Sequence, residues 1–424
     1  MKKVPPSEKL RKEIDEVLSG QLGEEEDVLG LLIDRSLKMM FQKILEQEAS
    51  DYLGREYYER NSTSRKGYRN GYESKRIKTA EGEIMLDAPQ LRDTEECYRS
   101  EFLKKIDSLS PQLKRLVVEM YARGLSTRDI EETLRDEASG KILLSKDGVS
   151  ELTEELWEEY ERFCERDLSG YDVVYLFADG VYESLRQEVG MKEAILCCWG
   201  ITSGGNKVLL RLGLGNKESF ESWREFFRHM VNRGLRIPLL VVSDGAPGLI
   251  KAVAECFPES KRQRCLFHKL MNIRNKLPQD AIDEVLPQIR SAYYQTDPEI
   301  ARLYASKVID AHAKQYPSAI KCFQEDFEAC IQHMYFPAGH QKHLTTTNLL
   351  ERSFVEQKRR TRVIPRFFDE KSCLKLVYAT MVRVSQKWRR VKMSDYDLSV
   401  LRNLKDLYGW KENEDGFISK KAAA

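Results

Sequence analysis

Two apolar runs, each breaking on an Asp-Gly pair, constrain this chain most. Val173-Val174-Tyr175-Leu176-Phe177-Ala178 leads into Asp179-Gly180, and Ile237-Pro238-Leu239-Leu240-Val241-Val242-Ser243 leads into Asp244-Gly245. Short apolar runs bounded by turn dipeptides read as buried strands. An acid that follows such a strand is expected at its C-terminal end, where α/β folds gather ligands. Around these runs, strands are expected at 172–178, 194–201, 207–213, 238–243 and 262–267. Helices are expected over Ser219–Met230 and Gly248–Phe257. Three strands, then helix, strand, helix, strand, give a mixed sheet with flanking helices. Gly204-Gly205-Asn206 fits a hairpin between the second and third strands.

Either aspartate alone is explained by turn chemistry. The pair gains meaning from a third acid, Glu351, in Thr345-Thr346-Thr347-Asn348-Leu349-Leu350-Glu351-Arg352, which reads as the start of a basic helix. From Arg352 to Lys392 there are thirteen Lys and Arg against three acids. Three converging carboxylates are costly to bury unless cations neutralise them. Hard cations such as Mg²⁺ take oxygen ligands, and two of them can clamp the attacking and leaving oxygens of a phosphodiester. In Gln263-Arg264-Cys265-Leu266-Phe267-His268, the Cys-x-x-His pair supplies half of a zinc site, with no second pair to complete four ligands. As a nucleophile pair it lacks an orienting third group. The preferred reading is that Cys265 and His268 line the site and that His268 contacts DNA or a scissile phosphate.

Upstream, Leu29, Leu31, Leu32, Ile33, Leu37, Met40, Phe41, Ile44 and Leu45 form an amphipathic stripe suited to packing or self-association. Arg65, Lys66, Tyr68, Arg69, Tyr72, Lys75 and Arg76 interleave cations with aromatic rings, a pattern for phosphate contact and stacking. Asn70-Gly71 in their midst signals a hairpin turn. A capped helix near Ser126 and another from about Gly148 have helix-turn-helix spacing. The second is acidic, which argues for packing over entry into a groove. Trp223, with Phe220, Phe226 and Phe227, reads as core. From Lys269 to His343 the pattern is helical, with Pro278, Pro287, Pro298 and Pro317 expected to mark breaks. Arg264, Arg352, Lys358, Arg359, Arg360 and Arg362 are further candidates for DNA backbone contact.

The 424 residues allow two or three domains, and the net charge of +1 argues against a simple nucleic-acid coat protein. Nine cysteines without regular spacing suit reduced thiols. No apolar stretch is long enough to span a membrane, and Met1-Lys2-Lys3-Val4-Pro5-Pro6 lacks a secretory core. A cytoplasmic, nucleoid-associated protein is expected.

Taken together, the motifs resemble the Mutator-type transposases of prokaryotic insertion sequences, DDE enzymes related to the MULE elements. The resemblance rests on Phe177-Ala178-Asp179-Gly180-Val181-Tyr182, Glu221-Ser222-Trp223-Arg224-Glu225, Val242-Ser243-Asp244-Gly245-Ala246, Gln263-Arg264-Cys265-Leu266-Phe267-His268-Lys269, and Thr346-Thr347-Asn348-Leu349-Leu350-Glu351-Arg352 with Lys358-Arg359-Arg360-Thr361-Arg362-Val363. Gly67-Tyr68-Arg69-Asn70-Gly71-Tyr72 also matches, and the likeness runs from about Leu29 to Lys392. It implies an α/β, RNase H-like catalytic domain with an all-helical insertion, preceded by a mainly helical DNA-binding region. The implied boundaries are 1–60 (helical), 61–168 (DNA-binding), 169–275 (catalytic core, first part), 276–343 (insertion), 344–400 (core, last part) and 401–424 (tail). It implies Asp179, Asp244 and Glu351 as metal-binding catalytic residues, two Mg²⁺ ions per site with Mn²⁺ as substitute, and Cys265 and His268 beside them. It also implies double-stranded DNA partners, both terminal inverted repeats and target, cleavage at element ends, transfer of the freed 3′-OH, and at least a homodimer. The alternatives are a transposase-derived DNA-binding protein that no longer cuts, and an RNase H-like nuclease.

Overall fold

A computed structural model describes residues 4–19, 28–59, 66–80, 82–106, 108–135, 141–184, 192–215, 218–362, 367, 369–386, 388–408, 410–412 and 418–420. The chain divides into two compact units, Met1–Tyr121 with Leu125–Glu154, and Ala122–Gly124 with Glu155–Ala424.

In the first unit, α1 (Pro6–Leu18) and α2 (Val28–Leu53) precede an antiparallel hairpin of β1 (Tyr68–Thr79) and β2 (Gly82–Arg92). The expected stripe lies on α2, whose Leu45 packs with Ile77, Ile84 and Leu86 of the hairpin. Gln42 fixes the helix on β2: its amide donates to the Asp87 carbonyl at 2.8 Å and accepts from the Asp87 N–H at 2.9 Å. Asn70-Gly71 is not the hairpin turn. It lies inside β1, where the register slips between Arg69 and Tyr72, and Gly71 takes φ +93°. The left-handed preference that suits this dipeptide to a turn equally suits a β-bulge. The reversal comes ten residues later, between Thr79 and Gly82.

Four helices follow: α3 (Glu101–Lys105), α4 (Pro111–Ala122), α5 (Thr127–Thr133) and α6 (Lys146–Glu165). Ser126 caps α5 as expected, in a reciprocal capping box with Asp129. Leu113, Val117, Ile130, Leu144, Val149 and Leu152 form the core shared by α4, α5 and α6, while Phe102, Leu103 and Ile106 of the α3 segment pack with the hairpin core. The charge of α6 is on its outer side; its apolar residues are consumed in packing.

The second unit is built on a five-stranded mixed sheet of β3 (Val173–Ser184), β4 (Lys192–Thr202), β5 (Lys207–Gly215), β6 (Leu240–Ser243) and β7 (Lys261–Arg264), in the order β5-β4-β3-β6-β7. The β5, β4 and β3 strands are antiparallel; β6 and β7 run parallel to β3. Gly205 makes the β4–β5 turn at φ +76°, as the sequence suggested. One face of the sheet carries α7 (Phe220–Asn232) and α8 (Pro247–Cys256), whose Trp223, Phe226, Phe227, Leu249 and Val253 bury against Leu176, Ala178, Leu196 and Val241. Trp223 is core.

Two expectations about the strands need correction. Asp179 does not end its strand, because β3 runs on to Ser184 and stays paired with β4 from Asp179↔Cys197 to Ser184↔Lys192. The backbone beyond Asp179 therefore has ladder partners, and Asp179-Gly180 is extended strand and not a turn. The last strand stops at Arg264, and Cys265 already caps α9 (Leu266–Arg274).

After α9 come α10 (Ile282–Tyr293), α11 (Pro298–His312), α12 (Pro317–Gln324), α13 (Phe327–Cys330) and α14 (Ala338–Leu344), with 3₁₀ turns at Gln279–Ala281 and Gln332–Tyr335. Pro298 and Pro317 occupy the first position of their helices and Pro278 precedes a 3₁₀ turn, so these three do mark boundaries. Pro287 does not: it lies inside α10. An interior proline costs about 3 kcal/mol. The burial of Val285, Ile289, Ala292 and Tyr293 around it holds the helix together. The chain then enters α15 (Asn348–Thr361), α16 (Glu370–Ser385), α17 (Asp395–Leu407) and a small hairpin of β8 (Trp410–Glu412) and β9 (Ile418–Lys420). No described helix is long and apolar enough to cross a membrane.

Candidate active site

Strand register brings the two aspartates together. Ala178 pairs with Ser243 across the parallel β3–β6 ladder, so Asp179 and Asp244 are the next residues on neighbouring strands. Side chains alternate along β3: Leu176 and Ala178 enter the core beneath α7 and α8, which leaves Asp179 on the opposite face. The ladder then continues to β7, where Ser243 pairs with Arg264 and the Cys265 N–H donates to the Ser243 carbonyl at 2.8 Å. Asp179, Asp244 and Cys265 thus stand in a row across three strands. The Asp179 carboxylate accepts from the Gly180 N–H at 2.9 Å, and that of Asp244 from the Ala246 N–H at 3.0 Å.

Glu351 arrives from the first turn of α15. One oxygen of its carboxylate accepts from the Thr347 hydroxyl at 3.1 Å. The Thr347 N–H and hydroxyl both lie 3.4 Å from the Cys265 sulfur, and the Leu266 N–H donates to the Thr345 carbonyl at 2.8 Å. These bonds tie the start of α15 to the start of α9. One ligand atom from each of Cys265, His268 and Glu351 lies within 4.8 Å of the others.

The electrostatics follow from this crowding. Burial, then the neighbouring Asp244 charge, raise the Asp179 carboxyl to about 7. A hydrogen bond with Cys265 raises His268 to about 9 against the effect of burial, helped by the charges of Cys265, Asp179 and Glu351. Burial pushes the Cys265 thiol up, but hydrogen bonds from His268 and Thr347 outweigh it and bring it below the ordinary value. His268 is therefore a cation between acids at neutral pH. Its Nδ1 is buried without a hydrogen-bond partner.

Glu218 is a fourth acid at this place, and its role was not read from the sequence. A Cβ on Gly180 would stand 2.7 Å from its carboxylate oxygen, so any larger residue at 180 would make the Glu218 side chain shift. Burial and the Asp244 charge raise its carboxyl. Gly245 is equally confined, since a Cβ there would meet the Arg264 guanidinium at 2.1 Å. The two glycines that look like turn residues are close-approach sites.

Of the candidate DNA contacts, Arg65 lies outside the described residues. Lys66, Tyr68, Tyr72, Lys75 and Arg76 are on the outer surface of the first unit, with Lys75 paired to Glu73 and Arg76 to Glu83. Arg69 turns inward, donating to Ser50 at 2.8 Å and lying over the Tyr57 ring, so it serves packing. Arg264 is held by Asp326 at 2.8 Å and is nearly covered. On α15, Arg352, Val355 and Arg359, with Arg362 capping the helix, recur at helical spacing on the exposed side, joined by Lys358. Arg359 and Arg360 both pair with Glu356. Arg352 also lines a pocket with Lys207, Lys342, His343 and Trp388. Those four are scattered over 181 residues, and no local signal in the sequence joins them.

Comparison with known proteins places the chain in the transposase class. Residues 10–391 match the family described as "Transposase, Mutator family". The chain belongs to that family. It is 32% identical over 364 residues to the transposase for insertion sequence element ISRM5 of Rhizobium meliloti (strain 1021), covering 85% of this chain and 90% of the relative. It is 33% identical over 273 residues to the transposase for IS6120 of Mycolicibacterium smegmatis, covering 64% and 84%. To the transposase for IS256 in transposon Tn4001 of Staphylococcus aureus it is 29% identical over 355 residues, covering 83% and 90%.

Proposed function

We propose that this chain is a DDE transposase in which Asp179, Asp244 and Glu351 are the catalytic carboxylates. The observation that carries the reading is the assembly of Asp179 and Asp244 on adjacent strands with Glu351 arriving beside His268, from positions spread over 172 residues. We read the second unit as an RNase H-like core: three antiparallel strands followed by two parallel ones support it. The helices between α9 and α15 form its insertion, and the first unit is the end-recognition region.

Divalent ions fit the donor set. A carboxyl driven up to about 7 by burial and a neighbouring acid is a site short of positive charge. Oxygen donors of this kind suit Mg²⁺, with Mn²⁺ as substitute. Bound there, two ions supply activation of the attacking oxygen and stabilisation of the leaving one. The remaining work belongs to the chain. The β3–β4 ladder fixes Asp179, the Thr347 hydroxyl orients Glu351, and the His268 cation offers a proton donor to a phosphate oxygen. The exposed cations of α15 hold the DNA backbone. The substrates are terminal inverted repeats and target DNA, the freed 3′-OH is joined to the target, and a homodimer is the least that brings two ends together.

The test is Mg²⁺-dependent cleavage and joining of DNA carrying the element's own ends. Asp179→Asn, Asp244→Asn and Glu351→Gln are each expected to bind the ends and to lose cleavage by at least about 1,000-fold, the scale of losing a catalytic group. A variant that cuts normally removes its residue from the set. Wild-type protein that binds and never cuts would favour a DNA-binding protein without catalysis.

A further inference from the structure

Cys265, His268 and Glu351 offer sulfur, nitrogen and oxygen within 4.8 Å of one another. This is not the donor set of a hard ion. Thiolate and imidazole select borderline and soft metals, above all Zn²⁺, whereas Mg²⁺ prefers oxygen alone. We propose that these three residues form a thiophilic metal site, distinct in chemistry from the carboxylate site and sharing Glu351 with it. The third ligand, 86 residues beyond Cys265, is what the Cys-x-x-His pair lacks in the sequence.

The geometry is close to what such an ion needs. A tetrahedral zinc centre holds its ligand atoms about 3.6 Å apart, so a closure of roughly 1 Å completes the set. Cys265 caps α9 and His268 lies in its first turn, so both ride on one element. The fourth position stays open to water. The ligands are also supported from behind. Thr347 directs its N–H at the Cys265 sulfur, and its hydroxyl, 3.4 Å from that sulfur, donates to Glu351 at 3.1 Å. Partners of this kind orient metal ligands and strengthen binding. The Nδ1 of His268 is also buried and has no hydrogen-bond partner.

The consequence for activity rests on the transposase reading above. Glu351 is common to both sites, so Zn²⁺ or Cd²⁺ bound with Cys265 and His268 competes with the carboxylate site for its oxygens. Soft ions then inhibit cleavage at concentrations far below those of Mg²⁺, and a chelator restores it.

The experiment uses the full chain, stripped of metal and titrated with Cd²⁺, reading the ultraviolet sulfur-to-cadmium charge-transfer band. Cys97, the exposed thiol, is replaced by serine in a control. A tight band is expected in wild type and in Cys97→Ser, absent in Cys265→Ser, and at least ten-fold weaker in affinity in His268→Gln and Glu351→Gln. Competition by Zn²⁺ should erase it, and excess Mg²⁺ should not. The proposal is overturned if the band survives Cys265→Ser, or if Glu351→Gln binds Cd²⁺ as wild type does. This readout needs no cleavage. If the band behaves as expected while Mg²⁺ supports no cleavage, the transposase reading fails and the metal site stands. Normal cleavage with a band indifferent to Cys265 is the reverse.

Discussion

At the scale of single residues, Asp179 shows what the site costs the fold. Its carboxyl is raised from the ordinary range to about 7 by burial and by Asp244. Below about pH 4 it is protonated whether the chain is folded or not, and adds no pH dependence. Between there and about 7 the unfolded chain ionises first, so stability falls as pH rises. Above 7 the penalty is constant, on the order of 4 kcal/mol. Metal-free Asp179→Asn is thus expected to melt higher than wild type at pH 8, with the difference shrinking towards pH 5. Calorimetry at both pH values checks this, and equal gains at both would show that Asp179 is not held ionised against burial. Thr347 is the other telling residue. Thr347→Val removes the hydroxyl between Cys265 and Glu351. Cleavage should fall by about ten-fold with kcat affected more than KM, the size of effect seen when a partner of a metal ligand is lost. Thr347→Ser should restore it. The two aspartates proposed as catalytic draw notice in the sequence because each ends an apolar run. Glu218 and Thr347 do not, because their roles arise from what stands over Gly180 and beside Cys265.

Among the elements, the sheet was the most readable, since its strands are apolar and its hairpin glycine is forced. Gly205 turns at φ +76°, and a Cβ there would stand 2.0 Å from the Val391 carbonyl. Gly205→Ala is expected to destabilise by at least about 3 kcal/mol, measured by denaturant unfolding, because strain and backbone overlap act together. Gly71 has a similar φ of +93° and nothing within 4 Å of a built Cβ. Gly71→Ala should therefore cost only about 1–2 kcal/mol, the backbone term alone. A cost equal to that at Gly205 would mean that the bulge is packed more tightly than it stands here. The bulge was misread as a turn because both demand the same left-handed residue. Where β3 stops was likewise hidden. Nothing local in Asp179-Gly180 announces that β4 goes on pairing for five more residues.

For the molecule as a whole, the net charge of +1 says little about nucleic-acid binding, because opposite charges are segregated. The cations proposed to contact DNA lie on one helix face. Replacing Arg352, Arg359 and Arg362 together by glutamine should lower the slope of log K against log salt by roughly 2–3, since each phosphate contact contributes about 0.9. Filter binding over a salt series measures it, and an unchanged slope would move the DNA elsewhere. The order of strands and helices was legible because their periodicities alternate. The meeting of β7, α9 and α15 was not, because it is made across the whole helical block. That block has a temporal side. A ribosome adding about 5–20 residues per second needs roughly 5–20 s to travel the 107 residues from Asp244 to Glu351. For that interval a nascent chain holds Asp179 and Asp244 without Glu351, so under the proposed catalytic assignment the full set of acids exists only late in synthesis, after most of the polypeptide has emerged.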